Sequence, residues 1–218
     1  MPSEVKAVIW DFGGVVTSSP FEAFARYEAA HGLPVGTIRR INAANPDSNA
    51  WARFERAEID PLTFDALFAA EARAAGHDIP GADILALLSG DVRPEMVSAI
   101  DTIKAIGFKT GCITNNVPSG HGAGMARTAG KATEIGAIMA RFDHVIESSK
   151  IGIRKPDPRI YLMMCEALGV IPAQCVYLDD LGINCKPASV LGMRAIKVVS
   201  AEQALADLSD AIGHLLSA

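Results

Sequence analysis

Asp11, Thr114, Asn115, Lys155, Asp179 and Asp180 are the residues of this chain whose types and placement can do chemistry, because each stands at or beyond the end of a short apolar run. Asp11 closes the run 5–10 and is followed at once by Phe12-Gly13-Gly14. Thr114-Asn115 closes 108–113, Lys155 lies in the loop after 144–147, and Asp179-Asp180 closes 175–178. If these runs are parallel strands, their C-terminal ends share one edge, which is where open α/β sheets bind ligands. Three carboxylates gathered there repel one another unless a cation joins them, and Mg2+ suits such hard oxygen donors. Asp11 can then offer one oxygen to the metal and the other as a nucleophile. Lys155 can neutralise Asp11 and a phosphoryl oxygen, and Thr114 and Asn115 can donate hydrogen bonds to the same group. The backbone N–H groups around Phe12, Gly13 and Gly14 can form an anion-binding concavity. A carboxylate attacking phosphorus while a metal and a lysine hold its oxygens is aspartyl-phosphate chemistry.

The elements that must position these residues fall into two patterns. From the first strand to about residue 92 the sequence is helical. Ser19-Pro20 starts a helix that Gly32 ends, and further helices are expected over 36–44, 48–57, 61–75 and 81–89, with Asp60-Pro61 as a cap followed by proline at the first helical position. Beyond residue 93 helices and strands alternate. Helices are expected over 94–106, 126–140, 158–168, 184–191 and 201–216, with strands over 108–113, 144–147, 175–178 and 194–199 and a glycine-rich loop over 119–124. Short apolar strands alternating with helices imply an α/β fold, a Rossmann-like three-layer parallel sheet. The expected organisation is a core of residues 1–16 plus 93–218, with residues 17–92 inserted as an α-helical cap over the carboxyl edge.

Composition narrows the functional classes. The 218 residues are half hydrophobic, enough for a sizeable core, and carry a formal charge of −5. That balance argues against a nucleic-acid or anionic-membrane surface and is compatible with a small phosphorylated substrate bound in a locally cationic cleft. No apolar run reaches membrane-spanning length. The N-terminus lacks a basic-then-apolar signal pattern, so a cytoplasmic location is expected. Cys112, Cys165, Cys175 and Cys185 show no metal-binding spacing and read as reduced structural residues. Nothing in the sequence speaks to oligomeric state.

The ordered set resembles the haloacid dehalogenase superfamily. Asp11-Phe12-Gly13-Gly14-Val15 is similar to its first motif, Thr114-Asn115 to the second, Lys155-Pro156 to the third and Asp179-Asp180 to the fourth. The segments 153–161 and 177–184 also resemble the phosphatase-like N-terminal domain of soluble epoxide hydrolase and the matching domain of acyl-CoA dehydrogenase family members. The resemblance implies Mg2+-dependent phosphomonoester hydrolysis. It makes Asp11 the nucleophile and a metal ligand, Asp180 the second direct carboxylate ligand and Asp179 mainly an outer ligand. It further implies that the carbonyl of Gly13 is a backbone ligand and that Asn184 orients the Asp179-Asp180 loop.

Position 13 departs from the phosphatase pattern. There the resemblance expects an aspartate that protonates the leaving alkoxide and then activates water, and Gly13 does neither. Losing a positioned acid/base costs about 10²–10⁴ in rate, so slow hydrolysis or a preference for good leaving groups is expected. Asn116, His121 and cap residues are the candidate substitutes. Three readings stay open: a phosphatase of low or specialised activity, a 2-haloacid dehalogenase that also lacks the second aspartate, and a phosphate-binding regulatory module without turnover.

Overall fold

The computed structural model describes residues 4–118, 125–126 and 128–216. Five strands form one wholly parallel sheet in the order β3-β2-β1-β4-β5: β1 (Ala7–Trp10), β2 (Lys109–Thr114), β3 (His144–Glu147), β4 (Cys175–Asp179) and β5 (Arg194–Lys197). All four residues of β1 are buried, as a central strand covered on both faces requires. The two-residue period of the strands sorts their side chains into two cores. Val8, Trp10, Cys112, Val176 and Leu178 face one core with α6 (Pro94–Ala105), α7 (Ala129–Met139) and α11 (Ala201–Ile212). Ala7, Ile9, Ile113, Cys175 and Tyr177 face the other with α9 (Pro158–Leu168) and α10 (Gly182–Val190). This is the three-layer Rossmann-like core expected from the sequence.

Between β1 and α6 the chain is all helix: α1 (Pro20–Ala30), α2 (Thr37–Ala43), α3 (Ala50–Glu55), α4 (Pro61–Ala74) and α5 (Gly81–Ala86). These helices bury their own cluster, centred on Phe24, Phe54, Phe64 and Phe68. Their starts are where side chains could satisfy free N–H groups. Ser19 accepts from Phe21 N with Pro20 behind it, Asn49 accepts from Ala52 N, and Asp60 accepts from Thr63 N with Pro61 behind it. Two adjacent linkers join this cap to the sheet, held by a bridge between Thr17 and Val92 and by Ser18 N donating to Asp91 O.

Several boundaries differ from the expectation for local reasons. Helix α7 starts at residue 129 because Thr128 caps it through Lys131 N. Helix α11 stops at Ile212, where Gly213 turns left-handed at φ 68°. A short helix, α8 (Ser148–Ile151), occupies the expected loop after β3 and ends at the left-handed Gly152. Helix α10 begins at residue 182, two residues before its expected start. The glycine-rich segment 119–124, with His121, lies outside the described residues. Cys112, Cys165 and Cys175 are buried, Cys185 is partly so, and all four are free thiols.

Candidate active site

The direction in which the chain winds outward from β1 reverses between β1 and β4, and the crevice outside their carboxyl ends is the favoured ligand position of such a sheet. Asp11 and Asp179 stand there side by side. Asp11 N donates to Leu178 O at 2.8 Å, which carries the β1–β4 pairing to the strand tip. Asp11, Asp179 and Asp180 bring carboxylate oxygens within 4.8 Å of one another. Lys155, only 1% exposed, reaches between them, its Nζ 2.7 Å from Asp11 Oδ1 and 2.8 Å from Asp179 Oδ2.

The two oxygens of Asp11 are inequivalent. Oδ1 accepts from both Lys155 Nζ and Phe12 N, whereas Oδ2 accepts no hydrogen bond among the described residues. Asp179 is fully engaged: it accepts from Lys155 Nζ, Tyr177 OH, Asn184 Nδ2 and Leu181 N. Asn184 is itself placed by Tyr161, whose hydroxyl donates to its carbonyl at 2.8 Å. Asp179 therefore serves Lys155, and Asp180 is the freer carboxylate, held at Oδ2 by Ser19 Oγ at 3.0 Å.

Gly14 is the residue that makes this proximity possible. It adopts φ +82°, and a Cβ there would fall on the Asp180 carboxylate. Gly13 differs: a Cβ built on it meets nothing within 4 Å.

Electrostatics follow from burial and crowding. Burial pushes the Asp11 carboxyl well above its ordinary value; Lys155 pulls it back, while Asp179 and Asp180 push it further up. Asp180 is pushed up to about 6, first by burial and then by Asp179. Burial alone would lower Lys155, but Asp11 and Asp179 outweigh it and keep the ammonium protonated. A divalent cation among these carboxylates would relieve both the desolvation and the mutual repulsion. The donors are hard oxygens, the ligand type Mg2+ prefers. Asp11, Asp180 and the main chain of Gly13 line the same cavity.

That cavity, about 540 Å³, runs from the strand tips to the cap. Phe21, Phe24, Trp51, Leu88 and Val117 make much of its wall apolar. Thr114 faces it and has no side-chain hydrogen bond among the described residues, so its hydroxyl is free to donate to a ligand. Asn115 is placed differently. Its Oδ1 accepts from Lys155 N at 2.8 Å and its Nδ2 donates to Lys155 O at 3.0 Å, so its amide clamps the lysine's backbone. Asn116 is turned away, donating to Glu147 and accepting from Ser149.

Sequence reasoning missed Glu55, Ser19, Tyr177 and Arg154. Tyr177 was within reach of the period-two rule, since it precedes Asp179 by two residues and so shares its face. Ser19 was legible only as a helix cap. Glu55 and Arg154 meet across 99 positions of sequence with no local signal, their Oε2 and Nε 2.6 Å apart. Burial raises the Glu55 carboxyl, and Arg154 opposes that rise.

Comparisons with known proteins identify the family. Residues 5–188 match the model of the haloacid dehalogenase-like hydrolases. The chain is 34% identical over 216 residues to acyl-CoA dehydrogenase family member 10 of Mus musculus, covering 97% of this chain but 19% of that protein. It is 30% identical over 203 residues to phosphatase MT3486 of Mycobacterium tuberculosis, covering 89% of this chain and 87% of that one. The chain thus spans about a fifth of the first relative and most of the second. Among solved structures, a dehalogenase with an intermediate complex superposes with a TM-score of 0.66 at 15% identity over the full length of both chains. The chain belongs to the haloacid dehalogenase-like hydrolases.

Proposed function

We propose that this hydrolase is a Mg2+-dependent phosphomonoester phosphatase acting through an aspartyl-phosphate on Asp11. The observation that carries the reading is Lys155 bridging Asp11 and Asp179 beside Asp180, with Asp11 Oδ2 accepting no hydrogen bond among the described residues. In this reading residues 1–16 with 93–218 are the chemical core and 17–92 the cap. Asp11, Asp180 and the carbonyl of Gly13 would hold Mg2+, with Asp179 behind them. The bound ion would neutralise phosphoryl oxygens and the crowded carboxylates.

Asp11 Oδ2 attacks phosphorus while Lys155 and Thr114 hold the phosphoryl oxygens. The bond from phosphorus to the ester oxygen breaks, and the alcohol takes a proton from water. Water then attacks the aspartyl-phosphate, releasing orthophosphate and restoring Asp11. Gly13 offers no acid or base to either half-reaction, so esters with good leaving groups turn over faster. The apolar cavity wall favours a small substrate whose organic part is largely apolar.

Hydrolysis of p-nitrophenyl phosphate should require Mg2+, stop with EDTA, and vanish in Asp11→Asn. Turnover that survives both chelation and that substitution would overturn the reading. Gly13 also favours a second reading, metal-independent dehalogenation of a 2-haloacid by the same Asp11 carboxylate. Halide release from 2-chloropropionate, unaffected by EDTA, would establish it in place of the first.

A further inference from the structure

Glu55 is the last residue of α3, in the cap, yet three of its four polar contacts are with the core. Its Oε2 lies 2.6 Å from Arg154 Nε and accepts from Asn115 Nδ2 at 3.3 Å. Its main-chain carbonyl accepts from Ser148 Oγ at 2.7 Å. The fourth contact is internal: Trp51 Nε1 donates to Oε1 at 2.9 Å, fixing the carboxylate against its own helix. The side chain is 8% exposed, and among the described residues it is the one cap carboxylate paired with a core cation.

Its core partners are neighbours of the reacting groups. Arg154 precedes Lys155 in the chain. Asn115 follows Thr114 and clamps the backbone of Lys155 on both its N–H and its C=O. The same Ser148 Oγ accepts from Asn116 N at 3.1 Å. Arg154 returns to the cap a second time through Pro46 O at 2.8 Å. One buried carboxylate thus touches both loops from which Thr114 and Lys155 emerge.

We propose that Glu55 is a positioning residue: inserted by the docked cap between the Thr114 and Lys155 loops, it sets the two side chains for catalysis. The roles of Thr114 and Lys155 rest on the phosphatase reading above; the coupling of cap to loops rests on the contacts alone. Without the carboxylate, the partly buried Arg154 loses its counter-charge and Asn115 loses its outer partner. Small misplacements of reacting groups cost up to about 10² in rate.

The test compares wild type with Glu55→Gln, which keeps the side chain's shape and removes its charge. Two readouts are used: Mg2+-dependent p-nitrophenyl phosphate kinetics, and amide hydrogen exchange of peptides covering 113–117 and 153–156. We expect kcat to fall about 10- to 100-fold with KM within about threefold. Exchange should rise in both loops and remain unchanged in β1 and β4. Arg154→Ala combined with Glu55→Gln should be little worse than either alone. An unchanged kcat, an unchanged exchange in either loop, or a rise spread over the whole sheet would each overturn the proposal. If wild type shows no turnover, the phosphatase reading fails and the exchange result alone decides the coupling.

Discussion

Gly13 has open space where a Cβ would stand, and its backbone lies outside the left-handed region that resists side chains. The next residue, Gly14, has neither freedom: its φ is +82° and Asp180 fills the space beside it. Adjacent glycines in one turn thus do opposite things, one holding a conformation and the other leaving a gap beside the candidate nucleophile. A side chain at position 13 would face the cavity that Asp11 and Thr114 line. Gly13→Asp should therefore fold normally and supply the missing acid/base. Its kcat for alkyl phosphates, whose leaving groups need a proton, should rise about 10²-fold. The gain for p-nitrophenyl phosphate should be much smaller. A folded variant with no change in this leaving-group dependence would show that another group already performs the transfer.

At the scale of elements, the site is assembled from the tips of β1, β2 and β4 and the Lys155 loop between α8 and α9, and is faced by α3. The cap keeps its shape through its own aromatic cluster. Phe64 is fully buried, stacks on Phe54 at 4.7 Å and meets Trp51 and Phe68 at 5.6 Å each. Glu28, buried on α1, accepts from Gly36 N and Ile38 N and so ties α1 to the start of α2. Because α3 carries both Trp51 and Glu55, the packing under α3 holds the cap's contribution to the cavity. Phe64→Ala should cost about 3–5 kcal/mol in urea unfolding, the range for a buried aromatic truncated to alanine. A loss below about 1 kcal/mol would mean that the cluster collapses around the gap or contributes little.

Across the whole molecule the net charge is −5, yet the decisive charges are a few buried ones at the sheet edge. Burial, and then Asp179, push the Asp180 carboxyl from an ordinary 3.8 up to about 6 in the folded chain. A carboxyl raised by folding binds its proton more tightly folded than unfolded. This group therefore makes the metal-free protein less stable as pH rises from about 4 through 6, by on the order of 3 kcal/mol in all. Mg2+ binding should reverse that penalty and compete with the same proton. At pH 7.5, Mg2+ at a hundred times its Kd should stabilise the fold by about 2.7 kcal/mol. Between pH 7 and pH 5 its apparent affinity should weaken about tenfold. The measurement is the difference in Tm with and without Mg2+ across that range. A difference independent of pH, or no Mg2+ effect at pH 7.5, would remove Asp180 from the ligand set.

The sequence by itself determined the strands and what stands at their tips. A buried parallel strand needs a continuous apolar run, and a side chain at its end is placed by the backbone alone. Asp11, Thr114, Asp179 and Asp180 were therefore legible at strand tips and Lys155 in the loop beyond the third strand, as were the helix starts at Ser19 and Asp60 with their prolines. The tertiary structure decided what each side chain does on that edge. Thr114 and Asn115 are neighbours in sequence, but the first faces the cavity while the second clamps Lys155, because consecutive residues at a strand end point in opposite directions. It also decided which cap residue reaches the core. Glu55 meets Arg154 only because two linkers fold five helices back over the sheet, and no local pattern encodes a contact made by that closure.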